Sequence, residues 1–188
     1  MEKYRERYKF PKLSTILALY FTMVGLMILI LHVYFTVSFS LPIHILNIAG
    51  ADGSRVVLYN NMSAKDPSYE ELKEFLKADL TDSIPYDVNS FVCSDCAEAI
   101  HNNAEESGIK AAYVSVYFYE KEKGHACNAF NTTDKGLVFV DCTAPALYDL
   151  ENNDATVIMK IGEIYKLEGI FGSHKFFDST VKRYKIYW

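Results

Sequence analysis

Between Leu13 and Ala51 the chain carries no Asp, Glu, Lys or Arg, and residues 13–37 are almost wholly apolar. About 20 apolar residues rising 1.5 Å each cross the hydrocarbon core of a bilayer, so one membrane helix over residues 13–40 is predicted. Lys3, Arg5, Arg7, Lys9 and Lys12 precede it, whereas only Arg55 follows closely. The positive-inside bias therefore makes residues 1–12 a cytoplasmic basic tail and puts everything after about residue 45 outside. Ala49-Gly50-Ala51 has the small-residue pattern of a signal-peptide cleavage site. An apolar region of about 25 residues exceeds the roughly 7 to 15 of a cleaved leader, which favours an uncleaved anchor. His32 and His44, in or just past this segment, are assigned no chemistry.

Without the membrane segment the 188-residue chain has room for one domain, predicted over residues 66–188 with 41–65 as a connector. A net charge of -5 gives no electrostatic footing for nucleic acid, whose phosphates need Lys and Arg. Four cysteines, Cys93, Cys96, Cys127 and Cys142, fall in the exported part, where disulfides are permitted but not required. Asn61-Met62-Ser63 and Asn131-Thr132-Thr133 are glycosylation-type tripeptides and weak support for export.

Arg55 to Tyr59 reads as a short β-like run. Tyr69, Leu72, Phe75, Leu76 and Leu80 recur at helical spacing after Pro67, predicting a helix over about 67–79, with Ser68 and Glu71 as a capping box if the start slips. A second helix is predicted from Cys93 to Glu106, closed by Ser107-Gly108, with Cys96, Ala97, Ile100 and Ala104 as its inner stripe and His101 at a polar surface position. The period then switches to two. Strands are predicted over about 109–119, 125–130 and 137–142, the last two as a hairpin, and over about 156–167, while the aromatic tail from Phe171 fits no single state. Helices followed by strands make an α+β domain.

The chemistry is carried by Cys93, His125 and Asp141. Cys93 begins a helix, where unsatisfied amides and the positive dipole end favour thiolate. His125 and Asp141 lie on the two hairpin arms. If they pair directly, Phe130 meets Gly136 around a loop from Asn131 to Lys135, and Asp141 takes one ring nitrogen of His125 and leaves the other for Cys93. An oxyanion hole would use the Cys93 backbone N–H, with Tyr86 or Asn89 as a second donor chosen on position alone.

Phe91-Val92-Cys93-Ser94-Asp95-Cys96-Ala97, Ser107-Gly108-Ile109-Lys110-Ala111, Gly124-His125-Ala126-Cys127-Asn128-Ala129-Phe130 and Gly136-Leu137-Val138-Phe139-Val140-Asp141-Cys142-Thr143 together resemble the transglutaminase-like core. That family runs Cys-x-Asp-x-Ala on a helix, Gly-Ile-x-Ala into a strand, His-Ala-Trp before a turn, and a strand ending in Asp-x-Thr. The resemblance covers about residues 66 to 145. It implies a papain-like fold, a Cys-bearing helix packed on an antiparallel sheet carrying His and Asp, and a cysteine hydrolase or acyltransferase acting on peptide or protein substrates without a cofactor. Cys127 stands where the family usually has Trp, and Phe91 where Gly often precedes the nucleophile by two.

Other readings use the same residues. Cys93 and Cys96 form a C-x-x-C pair at a helix start, as in redox proteins, but lack the strand–helix–strand unit around it. Cys93, Cys96, His125 and Cys127 are ligands of a type that suits zinc, which would leave Asp141 unexplained. A catalytically silent interaction module on the same fold is the third alternative. Cys96 and Cys142 are expected to pack as small apolar groups, Asp95 to cap its helix, and Cys127, two residues from His125 on one strand face, to line the pocket or to cross-link to a neighbour.

Overall fold

The computed structural model describes residues 13–39, 43–143, 155–169 and 174–188. The basic tail over 1–12 and the Asn- and Asp-rich loop before residue 155 lie outside these. The chain divides into two units, Met1–Leu41 and Pro42–Trp188. In the first, α1 (Leu13–Phe39) is one helix of 27 residues, about 40 Å at 1.5 Å per residue. Its stretch Leu13–His32 is long and apolar enough to cross a membrane, and Leu19, Phe21 and Met23 stand exposed on it.

The second unit begins earlier than expected. Residues assigned to a connector form β1 (Ile43–Ala49) and β2 (Arg55–Tyr59), an antiparallel pair. Alternation along β2 buries Val56 and Leu58, which join Leu46 against Ala97, Tyr113 and Ala126. The helix α3 (Cys93–Glu106) then serves the peptide groups of β2 with its side chains. Glu98 accepts from Val57 N–H at 3.0 Å, and Asn102 bonds both Tyr59 N–H at 2.9 Å and the Val57 carbonyl at 3.0 Å. A strand edge satisfied this way has no need of a longer sheet.

The helix α2 (Tyr69–Ala78) starts two residues after the expected position because Ser68 is its N-cap, closing a capping box with Glu71. Both ends of α3 fall where the sequence puts them, and Cys96, Ala97, Ile100 and Ala104 are its buried stripe. His101 is a correction: it is fully buried rather than on the surface. Its Nε2 meets Asn60 Oδ1 at 3.2 Å, and burial, with His44 adding, pushes the imidazole down to about 4, so it is neutral at physiological pH.

The sheet does not stay open. β3 (Ala112–Phe118), β4 (His125–Thr132), β5 (Gly136–Asp141), β6 (Ala155–Ile158), β7 (Ile164–Gly169) and β8 (His174–Tyr187) follow one another, each antiparallel to the next, and β8 returns to pair with β3. The result is a closed six-stranded barrel. The single strand expected over 156–167 is two, because the chain turns at Gly162, whose φ of 85° excludes extended structure. The tail supplies the closing strand. Val114, Val116, Cys127, Ala129, Phe139, Val157, Tyr165, Leu167 and Val181 fill the barrel, while Ala111, Phe130 and Val140 on the outer face pack against α2 and α3. The fold is thus α+β with an antiparallel sheet.

Candidate active site

The β4–β5 hairpin differs in register from the expected one. Thr132 pairs with Gly136 and Asn128 with Val140, leaving Thr133, Asp134 and Lys135 as the loop. Gly136, at a φ of 71°, provides the left-handed residue that ends a three-residue hairpin loop. Continuing that register sets Asp141 across from Cys127, two residues from His125. A slip of two keeps the same face, so the carboxylate meets the imidazole diagonally instead of head-on. His125 Nε2 and Asp141 Oδ2 are 2.7 Å apart.

Asp141 is fully buried, and each of its oxygens takes two hydrogen bonds. Oδ1 accepts from the Thr143 backbone N–H at 2.9 Å and hydroxyl at 2.8 Å. Oδ2 accepts from His125 and from the Tyr165 hydroxyl at 2.8 Å. Burial alone would raise the carboxyl's pKa; the imidazolium and the donors outweigh it and hold Asp141 below the usual carboxylate range. On His125, burial opposes the charge, but Asp141, by charge and hydrogen bond, and then Cys93 push the imidazole up to about 10.

Cys93 is the first residue of α3 and is half-buried, its thiol in hydrogen-bonding contact with His125. With Nε2 committed to Asp141, Nδ1 is the ring nitrogen left to face sulfur. The helix start is pinned from below: Asp95 accepts from Val92 N–H at 2.8 Å and Ala51 N–H at 3.0 Å, and Ser94 Oγ donates to the Ala49 carbonyl at 2.9 Å. One turn on, Cys96 forms a disulfide with Cys142, next to Asp141. These two were expected as separate packing residues; instead they tie the helix bearing Cys93 to the strand bearing Asp141.

Cys93, His125 and Asp141 are therefore brought together, while the remaining site candidates fare differently. Tyr86 is exposed, and partial burial and then the nearby Cys93 and Asp95 push its phenol up, keeping a protonated donor near the sulfur. Asn89 is engaged by Asp87, its N–H at 2.8 Å and its Nδ2 at 3.3 Å from the same carboxylate oxygen. Cys127, expected at the pocket wall, is fully buried inside the barrel, and burial followed by the charge of Asp141 pushes its thiol well up. With Cys96 in a disulfide, the proposed four-ligand zinc set is incomplete, and no cluster of three metal-binding side chains occurs among the described residues. Thr143 entered the sequence reading only as the end of the Asp-x-Thr block, with no role assigned, and Tyr165 was not singled out at all. Tyr165 was findable in part: Tyr165 and Leu167 alternate as inward positions, and an inward Tyr needs a partner for its hydroxyl.

The two buried histidines have opposite shifts, which gives a sign for stability against pH. His125, raised, contributes fully below its ordinary 6.5 and loses that contribution as pH climbs toward about 10. His101, lowered, contributes above 6.5 and loses it as pH falls through about 4. Asp141, lowered, adds an acid loss below 3.8. The urea midpoint is therefore expected to peak near pH 6.5 and decline on both sides, with the alkaline decline missing in His125→Gln. A flat alkaline limb in the unmodified chain would contradict a charged His125.

Comparisons with family models, with curated proteins and with solved structures each found no match to this chain.

Proposed function

We propose that this chain is a membrane-anchored thiol hydrolase or acyltransferase of transglutaminase-like type with a papain-like core, acting on peptide or amide bonds. The observation that carries the reading is the contact series from Cys93, at a helix N-terminus, through His125 to a buried, four-bonded Asp141. In the reaction Cys93 and His125 act as a thiolate–imidazolium pair: the sulfur, its proton already on His125, attacks the substrate carbonyl carbon, pushing charge onto oxygen beside the first amides of α3 and the Tyr86 hydroxyl. As the tetrahedral species collapses, the C–N bond breaks, His125 passes its proton to the leaving amine, and a thioester remains. Water, or a second amine, then loses a proton to His125 and attacks the thioester; its collapse expels the Cys93 thiolate and restores the pair with the imidazolium. Asp141 holds the imidazole in place throughout. Among the described residues nothing marks a seat for an acceptor amine, and hydrolysis is the simpler reading.

The anchor reading has support beyond α1. Cleavage after Ala51 would strip β1 from the domain, removing Leu46 from the core and both hairpin contacts at the base of α3. The Cys96–Cys142 disulfide suits an oxidising compartment, in line with a domain outside the cytoplasm.

Iodoacetamide applied to the full chain in membranes at neutral pH, followed by peptide mass mapping, tests the reading. Cys93 is expected to be labelled at least about tenfold faster than buried Cys127, since the thiolate reacts and burial disfavours it. Equal or slower labelling of Cys93 would remove the enzymatic reading and leave a silent interaction module.

A further inference from the structure

We propose that Tyr165 is a positioning residue of this site, its hydroxyl fixing the Asp141 carboxylate that steers His125; the inference rests on the thiol-enzyme reading above. Tyr165 lies on β7, which pairs with β6 and β8 and with neither β4 nor β5. Its side chain nevertheless reaches Asp141 through the barrel interior, with the hydroxyl 2.8 Å from Oδ2. That is the oxygen His125 Nε2 approaches at 2.7 Å. Two donors on one oxygen fix its lone pairs, so the phenol sets the direction in which the carboxylate presents itself to the imidazole.

The ring is held as firmly as the hydroxyl. Its plane stands nearly perpendicular to His125, 87° with centroids 5.5 Å apart, and to Phe118, 88° with centroids 5.7 Å apart. Tyr165 has no measurable exposure, and Cys127 Sγ is in hydrogen-bonding contact with its oxygen. A side chain so confined cannot follow a wandering carboxylate; the carboxylate must come to it. Barrel closure, remote from Cys93 in sequence, thus becomes a condition for the geometry of the site.

Tyr165 also moderates the pair it positions. A proton donated to Oδ2 draws off part of the charge that Asp141 offers the imidazolium, so His125 releases its proton more readily than it would beside a carboxylate lacking that donor. The titratable groups facing His125 are Cys93 from α3, Asp141 from β5, Tyr165 from β7 and, along its own strand, Cys127.

Tyr165→Phe keeps both ring contacts and removes only the donor. In the full chain, the pH dependence of Cys93 alkylation by iodoacetamide should show an alkaline inflection from His125, and in Tyr165→Phe that inflection should move up by about half a unit or more. Turnover of a p-nitrophenyl ester should lose on the order of tenfold in kcat with KM little changed. Site-specific 3-fluorotyrosine at position 165, a stronger donor of nearly the same shape, should move the inflection down. A role in packing alone would move neither profile. If the unmodified chain shows the inflection and both variants leave it in place, the Tyr165 assignment falls by itself. If the unmodified chain shows no selective alkylation of Cys93, both readings fall together. Should Tyr165→Phe fail to fold, the 3-fluorotyrosine chain alone decides.

Discussion

Cys93→Ala is expected to abolish turnover while the fold stays intact, and Asp141→Asn to damage both, so the two variants separate chemistry from architecture. Cys93 is half-buried at the edge of the cluster formed by Leu46, Val56, Leu58, Ala97, Tyr113 and Ala126. Trimming its sulfur removes little packing and costs about 1 kcal/mol or less, a shift of a few degrees at most. Without a nucleophile, loss of rate on the order of 10⁵-fold or more is the expected scale for a triad enzyme. Asp141→Asn is not conservative here. Each carboxylate oxygen faces two donors, His125 and Tyr165 on one side and the Thr143 N–H and hydroxyl on the other. An amide has one acceptor oxygen, so whichever way it turns, its NH₂ opposes donors; on one side the Thr143 peptide N–H cannot rotate away. A buried clash of that kind costs about 1–3 kcal/mol, besides the lost pull on the imidazolium. Ester turnover should fall by about 10⁴-fold. The check is ester turnover beside the urea midpoint for both variants. Retained turnover in Cys93→Ala ends the proposed chemistry, and wild-type stability in Asp141→Asn would mean that the four-donor cradle is not formed.

How far these residues were legible follows from the range of the interactions involved. Signals that act within one helical turn could be read: Ser68 with Glu71 set the start of α2, and Cys93 through Glu106 could be bounded from spacing and from Ser107-Gly108. The face shared by His125 and Asp141 was also accessible, because strand parity survives an error of two residues in register. The register itself was not, since it depended on Gly136 entering the left-handed region and shortening the loop. Contacts made only on closure left no local trace. Tyr165 meets Asp141 across the barrel, and β8 is a strand because β3 and β7 both lack a neighbour without it. His101 looked like surface because, of the hairpin that buries it, only the β-like run Arg55 to Tyr59 was read and its partner strand was taken for a connector. Besides burying Leu46, Val56 and Leu58, that hairpin is held by Glu98 and Asn102 reaching over from α3, a complementarity invisible in either segment alone. Cysteine pairing is the extreme case, since four cysteines allow three pairings and spacing does not choose.

Removing the Cys96–Cys142 bridge is expected to produce a large loss of stability in the domain. The two residues are 46 apart in sequence with Cα atoms 6.4 Å apart, within the span a disulfide bridges. Chain-entropy arguments for a loop of that size give about 4 kcal/mol of stabilisation through the unfolded state. That is a large share of the 5–15 kcal/mol typical of a domain. Both sulfurs are nearly inaccessible, packed with Ile100, Ala104, Phe130 and Val140, so Cys96→Ala/Cys142→Ala adds the loss of buried sulfur contacts. The urea midpoint should drop accordingly, and reduced wild-type chain should behave like the double variant. Thiol titration of the unfolded, unreduced chain should find two free groups, Cys93 and Cys127. The site should feel the loss as well, because the bridge begins one turn after Cys93 and ends beside Asp141. With it gone, the thiol–imidazole contact depends on the helix cap and the hairpin alone, and the Cys93 alkylation rate should fall while Cys127 becomes reactive. Four free thiols in the unreduced chain, or a double variant within about 1 kcal/mol of wild type, would show that α3 and β5 are held together by packing without the covalent link.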